Sequence, residues 1–481
     1  MRNAMSKQEI FKGTRREHDL LGYREVPADA YYGIHTLRAL ENFPISGDPI
    51  SKYLELIVAL VDIKEAAALT NRDLGLLDDA RCQAIVDACK AIRTGQHAEQ
   101  FAVDLIQGGA GTSTNMNANE VVCNKALELL GHQRGEYEVL HPNEHVNMSQ
   151  STNDVYPTAL KVATYRSALR LLDQMSLLEA SFERKATEFR TMLKVGRTQL
   201  QDAVPMTLGQ EFATYAVMLN EDRQRLAEAL PLISEINLGA TAIGTGINAH
   251  PEYAVRVCQH LCTISGLPLH TAPYLIEATQ DCGAFVQLSG VLKRIAVKLS
   301  KVCNDLRLLS SGPRAGFGEI NLPPVQAGSS IMPGKVNPVI PEVMNQVAFE
   351  VIGNDMTITM AAEAGQLQLN AFEPVIAYSL FRSISHLTQA CATLDEKCVR
   401  GITANPEHMR EMLDRSIVLV TALNPYIGYA NSTEVAREAL ETGRKVADIV
   451  LERGLLSAAA LAEILRPEVL TAPRAPVALN Q

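Results

Sequence analysis

The chain has 481 residues, of which 47% are hydrophobic and 20% are charged, and its formal net charge at pH 7 is −10. This is the composition of a globular protein, and it excludes a disordered chain. No run of five or more basic residues occurs, so we expect neither nucleic acid nor an anionic membrane surface as a partner.

The first 22 residues carry charges throughout and lack the apolar core of a signal peptide. No run of about 18 apolar residues could span a bilayer. The nine cysteines are an odd number and include no CxxC pair, which argues against a disulfide framework and a zinc ribbon. We therefore expect a soluble, cytoplasmic protein without a metal site.

Two polar segments end the N-terminal part of the chain. GGAGTSTNMNANE, at 108–120, combines small residues that let a ligand approach the backbone with neutral hydrogen-bonding side chains. HPNEHVNMSQSTNDVYP, at 141–157, precedes a long helix, and the N-terminus of a helix favours an anion. A helix N-cap without a ligand is the alternative for this second segment. The candidate binding residues are Thr112, Ser151, Thr152 and Asn153.

Three long apolar stripes follow, each with helical spacing. The first runs from after Pro157 to about Leu193, and the second starts at about Thr207. The third, from about Glu277 to Ser310, would be roughly 50 Å long, and its apolar residues step by 3 and 4 in a heptad seam: Phe285, Leu288, Leu292, Ile295, Leu299, Val302, Leu306 and Leu309. With further helical stretches after Pro341 and Pro374, the stripes predict an all-α fold around a central long-helix bundle.

The stretch AGSSIMPGKVNPVIPE, at 327–342, interrupts the helices. Its three prolines disfavour helical geometry in the residues before them, while Gly328 and Gly334 permit backbone angles that other residues resist. We expect a loop of defined path, with the two glycines as hinges of a lid, whose polar side chains face a ligand or a partner: Ser329, Ser330, Lys335 and Asn337.

Short helices are predicted after about residue 405, and the tail TAPRAPVALNQ is predicted to be disordered. The predicted domains are an N-terminal domain at 1–151, a central helical bundle at 152–405 and a small C-terminal helical domain at 406–481.

Two short motifs resemble known functional sites but match them poorly. The stretch from Gly328 to Lys335 departs from a P-loop in its glycine spacing, and Val336 stands where Ser or Thr would bind magnesium. His141, Glu144 and His145 fit the H-x-x-E-H pattern of zinc peptidases, but Pro and Asn within it favour a loop over the required helix.

Five segments together resemble the fumarase/aspartase superfamily. They are GTSTNMNANE, SQSTND, GRTQLQDAVPMTLGQE, GATAIGTGIN and GSSIMPGKVNP, in the expected order over nearly the whole chain. The resemblance implies a homotetramer whose bundles merge into a twenty-helix core, with active sites shared by three subunits.

The resemblance also implies a reaction that gives fumarate from a succinate skeleton. Val-Ile-Pro-Glu-Val after Asn337-Pro338, and Gln199 where fumarases carry a histidine, favour removal of ammonia from L-aspartate. The alternative is a class II fumarase, which dehydrates malate. A zinc peptidase and a catalytically inactive crystallin-like member are alternatives from other classes.

Residue roles follow from the same resemblance. Ser329 is the base, acting as an alkoxide on the Cβ proton, and the product of this step is a dianionic aci-carboxylate. Thr112, Ser151 and Thr152, with the backbone N–H of Ser330, are the candidates to stabilise that dianion, since preorganised neutral donors favour it over the ground state. Lys335, Asn337 and Thr198 would hold the α-carboxylate. Asn153 and Gln199 would contact the amine. No cofactor is required, and the sequence leaves open whether a divalent cation such as Mg²⁺ activates the enzyme.

Overall fold

The computed structural model describes residues 13–473, and long helices dominate it. The first 12 residues, on which the absence of a signal peptide was partly argued, and residues 474–481 of the predicted disordered tail lie outside the described residues. In chain order the α-helices are α1 (Ile34–Asn42), α2 (Leu54–Asp73), α3 (Asp79–Arg93), α4 (Thr112–Leu129), α5 (Thr152–Glu188), α6 (Leu208–Ile233), α7 (Tyr253–Ser265), α8 (Leu275–Ala278), α9 (Gly283–Leu309), α10 (Val339–Glu363), α11 (Glu373–Lys397), α12 (Pro406–Arg415), α13 (Leu419–Ile427), α14 (Tyr429–Thr442), α15 (Val446–Glu452), α16 (Ala458–Ile464) and α17 (Pro467–Leu470).

The strands are short and form two-stranded sheets. They are β1 (Thr14–Asp19), β2 (Gly22–Pro27), β3 (Leu193–Thr198), β4 (Gln201–Thr207), β5 (Glu235–Ile236), β6 (His270–Thr271), β7 (Ile320–Asn321) and β8 (Thr403–Ala404). Strands β1 and β2, β3 and β4, and β7 and β8 pair antiparallel, and β5 pairs with β6 in parallel. The predicted all-α fold with long central helices is confirmed.

The chain divides into two compact units. Unit 1 comprises the described residues up to Leu171, Arg225–Lys293 and Glu350–His386. Unit 2 comprises Leu172–Gln224, Arg294–Phe349 and the described residues from Leu387 onward. The predicted domains at 1–151, 152–405 and 406–481 stay a prediction.

Helix α2 lies at the centre of unit 1 and is buried on almost every side. It packs against α3, α4 and α7. Because an apolar helix of 20 residues cannot be satisfied by one neighbour, its burial requires these three helices around it. Its few polar residues, among them Asp62 and Lys64, are buried with it.

Unit 2 contains an aromatic cluster and a separate C-terminal core. Phe182, Phe189, Phe212 and Tyr215 contact one another with ring centroids 5.2–6.1 Å apart. The predicted short helices after residue 405 are present, and they pack with Leu193 and Val195 of β3 around an apolar core that includes Leu423, Val435 and Ile449.

The predicted heptad seam of α9 is confirmed, but the predicted start of the helix at about Glu277 is wrong. All eight seam residues are at most 5% exposed. The helix starts at Gly283, because the Asp281 carboxylate accepts a hydrogen bond from the Gly283 N–H (2.8 Å) and separates α9 from the short helix α8. It is therefore about 40 Å long.

Helix α5 begins earlier than predicted and also ends earlier. It starts at Thr152 with Pro157 inside it, and Leu193 belongs to strand β3. Pro157 has no N–H to donate to the Asn153 carbonyl. The side chain of Asn237 donates to that carbonyl instead (3.0 Å), so the proline is tolerated within the helix.

Among the described residues, no helix is long and apolar enough to cross a membrane.

Candidate active site

In unit 1 the N-terminal ends of α4 and α5 lie side by side. Gly111, with φ +90°, precedes α4, and a Cβ at this position would lie 2.3 Å from the ring of Tyr156 in α5. Only glycine allows both this backbone angle and this close approach. The two polar segments that the sequence predicts to bind a ligand, 108–120 and 141–157, are therefore in contact.

A buried lysine links these two segments. The Nζ of Lys64, in α2, lies 2.7 Å from Asn115 Oδ1, 2.9 Å from Gln150 Oε1 and 3.0 Å from Asn147 Oδ1. The side-chain amide of Asn115 donates in turn to the Thr152 hydroxyl (3.2 Å). Burial lowers the pKa of Lys64 to about 7, although the charge of Asp154 opposes the shift.

Ser151 caps helix α5. Its hydroxyl accepts from the Asn153 N–H (3.2 Å), and the Asp154 carboxylate accepts from the Ser151 N–H (3.0 Å). The Ser151 hydroxyl therefore caps the second residue of the helix, and Asp154, the third residue, accepts from the Ser151 N–H as the acid of a capping box does. The N-cap alternative thus describes the geometry of Ser151, and the dipole of the same helix end favours an anion.

Asp154 is fully buried beneath this helix end. Its carboxylate also accepts from the backbone N–H groups of Thr241 (2.8 Å) and Gly239 (3.2 Å). Burial raises the pKa of Asp154 to about 7, against the effect of these hydrogen bonds and of Lys64. The carboxylate therefore holds the loop around Gly239 against the start of α5.

Two further predicted residues of unit 1 have backbone partners. The Thr112 hydroxyl donates to the Gly109 carbonyl (2.7 Å), and the Asn153 side-chain amide donates to the Ala242 carbonyl (2.6 Å). The second bond orients the Asn153 amide, so its oxygen remains as an acceptor for a cation such as a substrate amine. Asn117, in contrast, is buried and donates to the Gln100 carbonyl (2.9 Å), which is a structural role.

In unit 2 Gln199 lies at the tip of the hairpin β3–β4, directly after Thr198. Gln199 and Leu200 have φ of 54° and 63°, the two left-handed residues of a type I′ turn. Asn and Gly usually occupy these positions, so Gln and Leu carry backbone strain. Strain of this kind is tolerated where a side chain is needed in a particular place, which supports a functional role for Gln199.

The hairpin is anchored by a buried ion pair. Arg197, next to Thr198, donates to the fully buried carboxylate of Glu319 (2.6 Å), and Lys194 lies 3.0 Å from the same carboxylate. The guanidinium of Arg197 also stacks on Phe317, 4.1 Å from the ring centroid. These contacts hold the turn that carries Thr198 and Gln199.

The predicted loop at 327–342 folds back on itself, also in unit 2. A Cβ on Gly328 would lie 1.5 Å from the Lys335 carbonyl oxygen, so the backbone passes itself at a distance that only glycine permits. The half-buried Ser329 accepts a hydrogen bond at Oγ from the Ile331 N–H (3.2 Å). Ser330 and Lys335 are exposed, and Asn337 is half-buried.

A cavity of about 430 Å³ lies beside this loop. Lys335, Asn337 and Glu342 line one part of it, and Arg307 and Ser310 line another. The two cations outnumber the one carboxylate, that of Glu342, and together with an amide and hydroxyls they suit a small carboxylate ligand. Within the described residues, the side chains of Thr198 and Gln199 form no hydrogen bond with this loop.

The zinc-peptidase alternative finds no support in the geometry. Residues 142–146 form one wide helical turn, in which Nδ1 of His141 accepts from the Asn143 and Glu144 N–H groups, and Nδ1 of His145 accepts from the His141 N–H. Burial lowers the pKa of both imidazoles. No group of three or more His, Cys, Asp or Glu side chains suited to a metal occurs among residues 13–473.

Sequence reasoning missed Lys64, Asn147 and Gln150. The available signal was a lone lysine within the apolar run of α2, but a buried ion pair with a carboxylate would leave the same signal. Nothing in the sequence spacing relates Lys64 to residues 115 and 152.

The chain matches two family models and is similar to named relatives. Residues 22–353 match a family described as lyase, and residues 419–472 match the C-terminus of fumarase C. An aspartate ammonia-lyase from Pseudomonas canavaninivorans is 61% identical over 96% of this chain and 97% of its own length.

Two solved structures are also similar to this chain. A structure titled fumarate lyase:delta crystallin, from Brucella melitensis and bound to cobalt, superposes with a TM-score of 0.93 at 55% identity, over 96% of this chain and all of the other. A class II fumarase from Schistosoma mansoni superposes with a TM-score of 0.90 at 36% identity, over the same shares.

Proposed function

We infer that this chain, which belongs to the fumarase/aspartase superfamily, is an aspartate ammonia-lyase that interconverts L-aspartate with fumarate and ammonia. The observation that carries the inference is the match to the Pseudomonas aspartate ammonia-lyase, 61% identical over 96% of the chain. The class II fumarase is only 36% identical over the same share. Gln199, where fumarases carry a histidine, supports the same choice.

The base in this proposal is Ser329. A serine hydroxyl is too weak an acid to be ionised at neutral pH without help, so the site must favour the alkoxide. The N–H of Ile331, which donates to Ser329 Oγ, supports such a role, as does the positive charge of Lys335 in the same loop. The alkoxide takes the Cβ proton, and the electron pair moves into the neighbouring carboxylate.

The resulting aci-carboxylate dianion needs donors around its two oxygens. Thr112, Ser151 and Thr152, at the N-termini of α4 and α5, and the Ser330 N–H are the proposed donors. The Thr112 hydroxyl, which donates to the Gly109 carbonyl, would rotate from that carbonyl to the substrate. Each preorganised donor contributes about 3 kcal/mol by analogy with an oxyanion hole, so three or four would account for a barrier reduction on the order of 10 kcal/mol. When the electron pair returns to form the double bond, the protonated amine leaves as ammonia, and this departure needs no acid.

Binding of the ground state rests on the remaining residues. Lys335, Asn337 and Thr198 are proposed to hold the α-carboxylate, which the cavity beside Lys335 and Asn337 supports. Asn153 and Gln199 are proposed to contact the amine, because each offers an amide oxygen as an acceptor.

We propose that the protein is a homotetramer in which three subunits contribute to each active site. One face of α10 supports self-association, because large apolar residues at helical spacing are exposed on it: Phe349 (63%), Ile352 (38%), Met356 (61%) and Met360 (64%). A contiguous apolar face of this kind normally marks an interface. Light scattering coupled to gel filtration measures the mass directly.

We propose a reducing, cytoplasmic location and a reaction without a resident cofactor. All nine cysteines are free, and eight of them are buried. The proposed base and the proposed donors are all side chains or backbone groups of the protein, so the proposed reaction uses no cofactor. Activation by a divalent cation such as Mg²⁺ is tested by adding a chelator to the assay.

The test of the function is the ultraviolet absorbance of fumarate. The purified protein is given L-aspartate in one cuvette and L-malate in another, with and without chelator. Fumarate from L-aspartate alone is the expected result. Fumarate from L-malate would identify a fumarase, and no fumarate from either substrate would point to an inactive, crystallin-like member.

A further inference from the structure

Lys64 is a buried lysine that has no carboxylate within hydrogen-bonding distance among the described residues. Its side chain is 0% exposed, and its three neighbours at Nζ are the amide oxygens of Asn115, Gln150 and Asn147, at 2.7–3.0 Å. Three acceptors require three N–H bonds, which the ammonium has and the neutral amine lacks. These contacts favour the ammonium form, whose charge the amides solvate, while burial acts in the opposite direction and lowers the pKa of Lys64 to about 7.

This ammonium determines the orientation of each amide around it. A lysine ammonium only donates, so the atom that faces Nζ must be the oxygen of each side chain. For Asn115 the consequence is that its NH₂ group points the other way. That group lies 3.2 Å from the Thr152 hydroxyl and 3.2 Å from Asn147 Oδ1, so each of its two N–H bonds has an acceptor.

The chain of donors sets the direction of the Thr152 hydroxyl. Because Asn115 donates to Thr152 Oγ1, the oxygen accepts on that side, and the hydroxyl proton must be directed elsewhere. A hydroxyl that rotates freely can present either its proton or a lone pair to a substrate. Here one of the two lone pairs of the oxygen is occupied within the protein, and the Asn115 side is closed to the proton, so the proton is directed towards a bound anion.

We propose that Lys64 is a positioning residue for the reaction, acting through Asn115 to make the Thr152 hydroxyl a donor to the substrate carboxylate. The inference rests on the proposed function, in which Thr152 stabilises the dianion. Lys64 itself does not touch the substrate. Its contribution is preorganisation, because the donor direction is established before the charge develops.

A purely structural role for Lys64 is the competing explanation. Its charge interacts favourably with the buried carboxylate of Asp154, and loss of that interaction would destabilise unit 1 whatever happens at Thr152. The two explanations differ in one respect. Only the positioning role makes the effect of Lys64 on catalysis depend on the presence of the Thr152 hydroxyl.

The test is a double-mutant cycle on the full-length enzyme, with Lys64→Met and Thr152→Val. Initial rates of fumarate formation from L-aspartate give kcat and KM, and thermal unfolding is recorded for each variant. Each single change is expected to lower kcat/KM by about 30- to 100-fold, mainly in kcat. In the Thr152→Val background, Lys64→Met is expected to lower kcat/KM further by less than about threefold.

A second variant covers the case in which Lys64→Met does not fold. Asn115→Asp has nearly the same shape and still accepts from Lys64, but it has no N–H to donate, so the Thr152 hydroxyl must donate to it. The expected loss in kcat/KM is again about 30-fold or more with Thr152 present and less than about threefold with Thr152→Val. Ser113→Ala, on the first turn of α4 but outside this network, is the control and should stay within about twofold of the wild type.

Losses that multiply in the double variants would overturn the positioning role. So would a Thr152→Val enzyme as active as the wild type, since Thr152 would then carry no catalytic donor. In both cases the wild-type enzyme would still form fumarate from L-aspartate, so the proposed function would stand. A wild-type protein inactive with L-aspartate would instead refute the proposed function, and this inference with it.

Discussion

Substitution of Gly328 by alanine should inactivate the enzyme while leaving it folded. The new Cβ would lie 1.5 Å from the Lys335 carbonyl oxygen, whereas ordinary contact begins at 3.4 Å. The two backbone strands of the loop must therefore separate by about 2 Å, which moves Ser329 relative to Lys335.

The expected size of the effect follows from this displacement. A misplacement of about 1 Å in a reacting or positioning group can cost about 100-fold in rate. We therefore expect kcat/KM for L-aspartate to fall at least about 100-fold, equivalent to about 2.7 kcal/mol of transition-state stabilisation. The loop is largely exposed, so the free energy of unfolding should change by less than about 1 kcal/mol.

Gly334→Ala is the matched control in the same loop. Gly334 has φ +81°, but no atom lies within 4 Å of its added Cβ. Its cost is the left-handed strain alone, about 1 kcal/mol, which corresponds to a loss of roughly fivefold. Fumarate absorbance and thermal unfolding are measured for both variants. A Gly328→Ala enzyme within tenfold of the wild type, or no worse than Gly334→Ala, would refute the functional importance of the close approach.

Three further changes test other parts of the structure. Ser329→Ala should lower kcat by about 10²- to 10⁴-fold with little change in KM, and near-normal turnover would remove Ser329 from the mechanism. Gly111→Ala places a methyl group 2.3 Å from the Tyr156 ring and should reduce the free energy of unfolding in urea by about 1–3 kcal/mol more than Gly131→Ala, which has a similar φ and no atom within 4 Å; equal losses would contradict this packing argument. Burial raises the pKa of Glu128, but hydrogen bonds from a lysine, a tyrosine and an arginine outweigh it and lower the pKa to about 2. The stabilisation is present above the unfolded pKa of about 4.5 and is lost as the pH falls towards 2. Glu128 is partly exposed, so Glu128→Gln should lower the unfolding free energy by at most about 1 kcal/mol at pH 7, and by less at pH 3; a loss that does not shrink would contradict the assignment.

The sequence by itself determined the fold class and identified the polar segments in which the candidate site residues lie. The heptad seam of α9 predicts helix packing because apolar spacing and helical periodicity are local properties, and the seam is buried as predicted. The prolines and glycines of 327–342 likewise predict that this stretch is a loop between helices. These features depend on residues a few positions apart, which is the range over which sequence patterns are informative.

The continuation of α5 through Pro157 and the surroundings of Lys64 were decided by tertiary structure alone. Pro157 predicts a helix boundary, but the side chain of Asn237, 80 residues further on, satisfies the carbonyl that the proline leaves unpaired. Lys64 donates hydrogen bonds to amides that lie more than 50 residues away in the chain. A hydrogen bond depends on distance and direction in space, and no local pattern specifies either for partners that meet only when the helices pack.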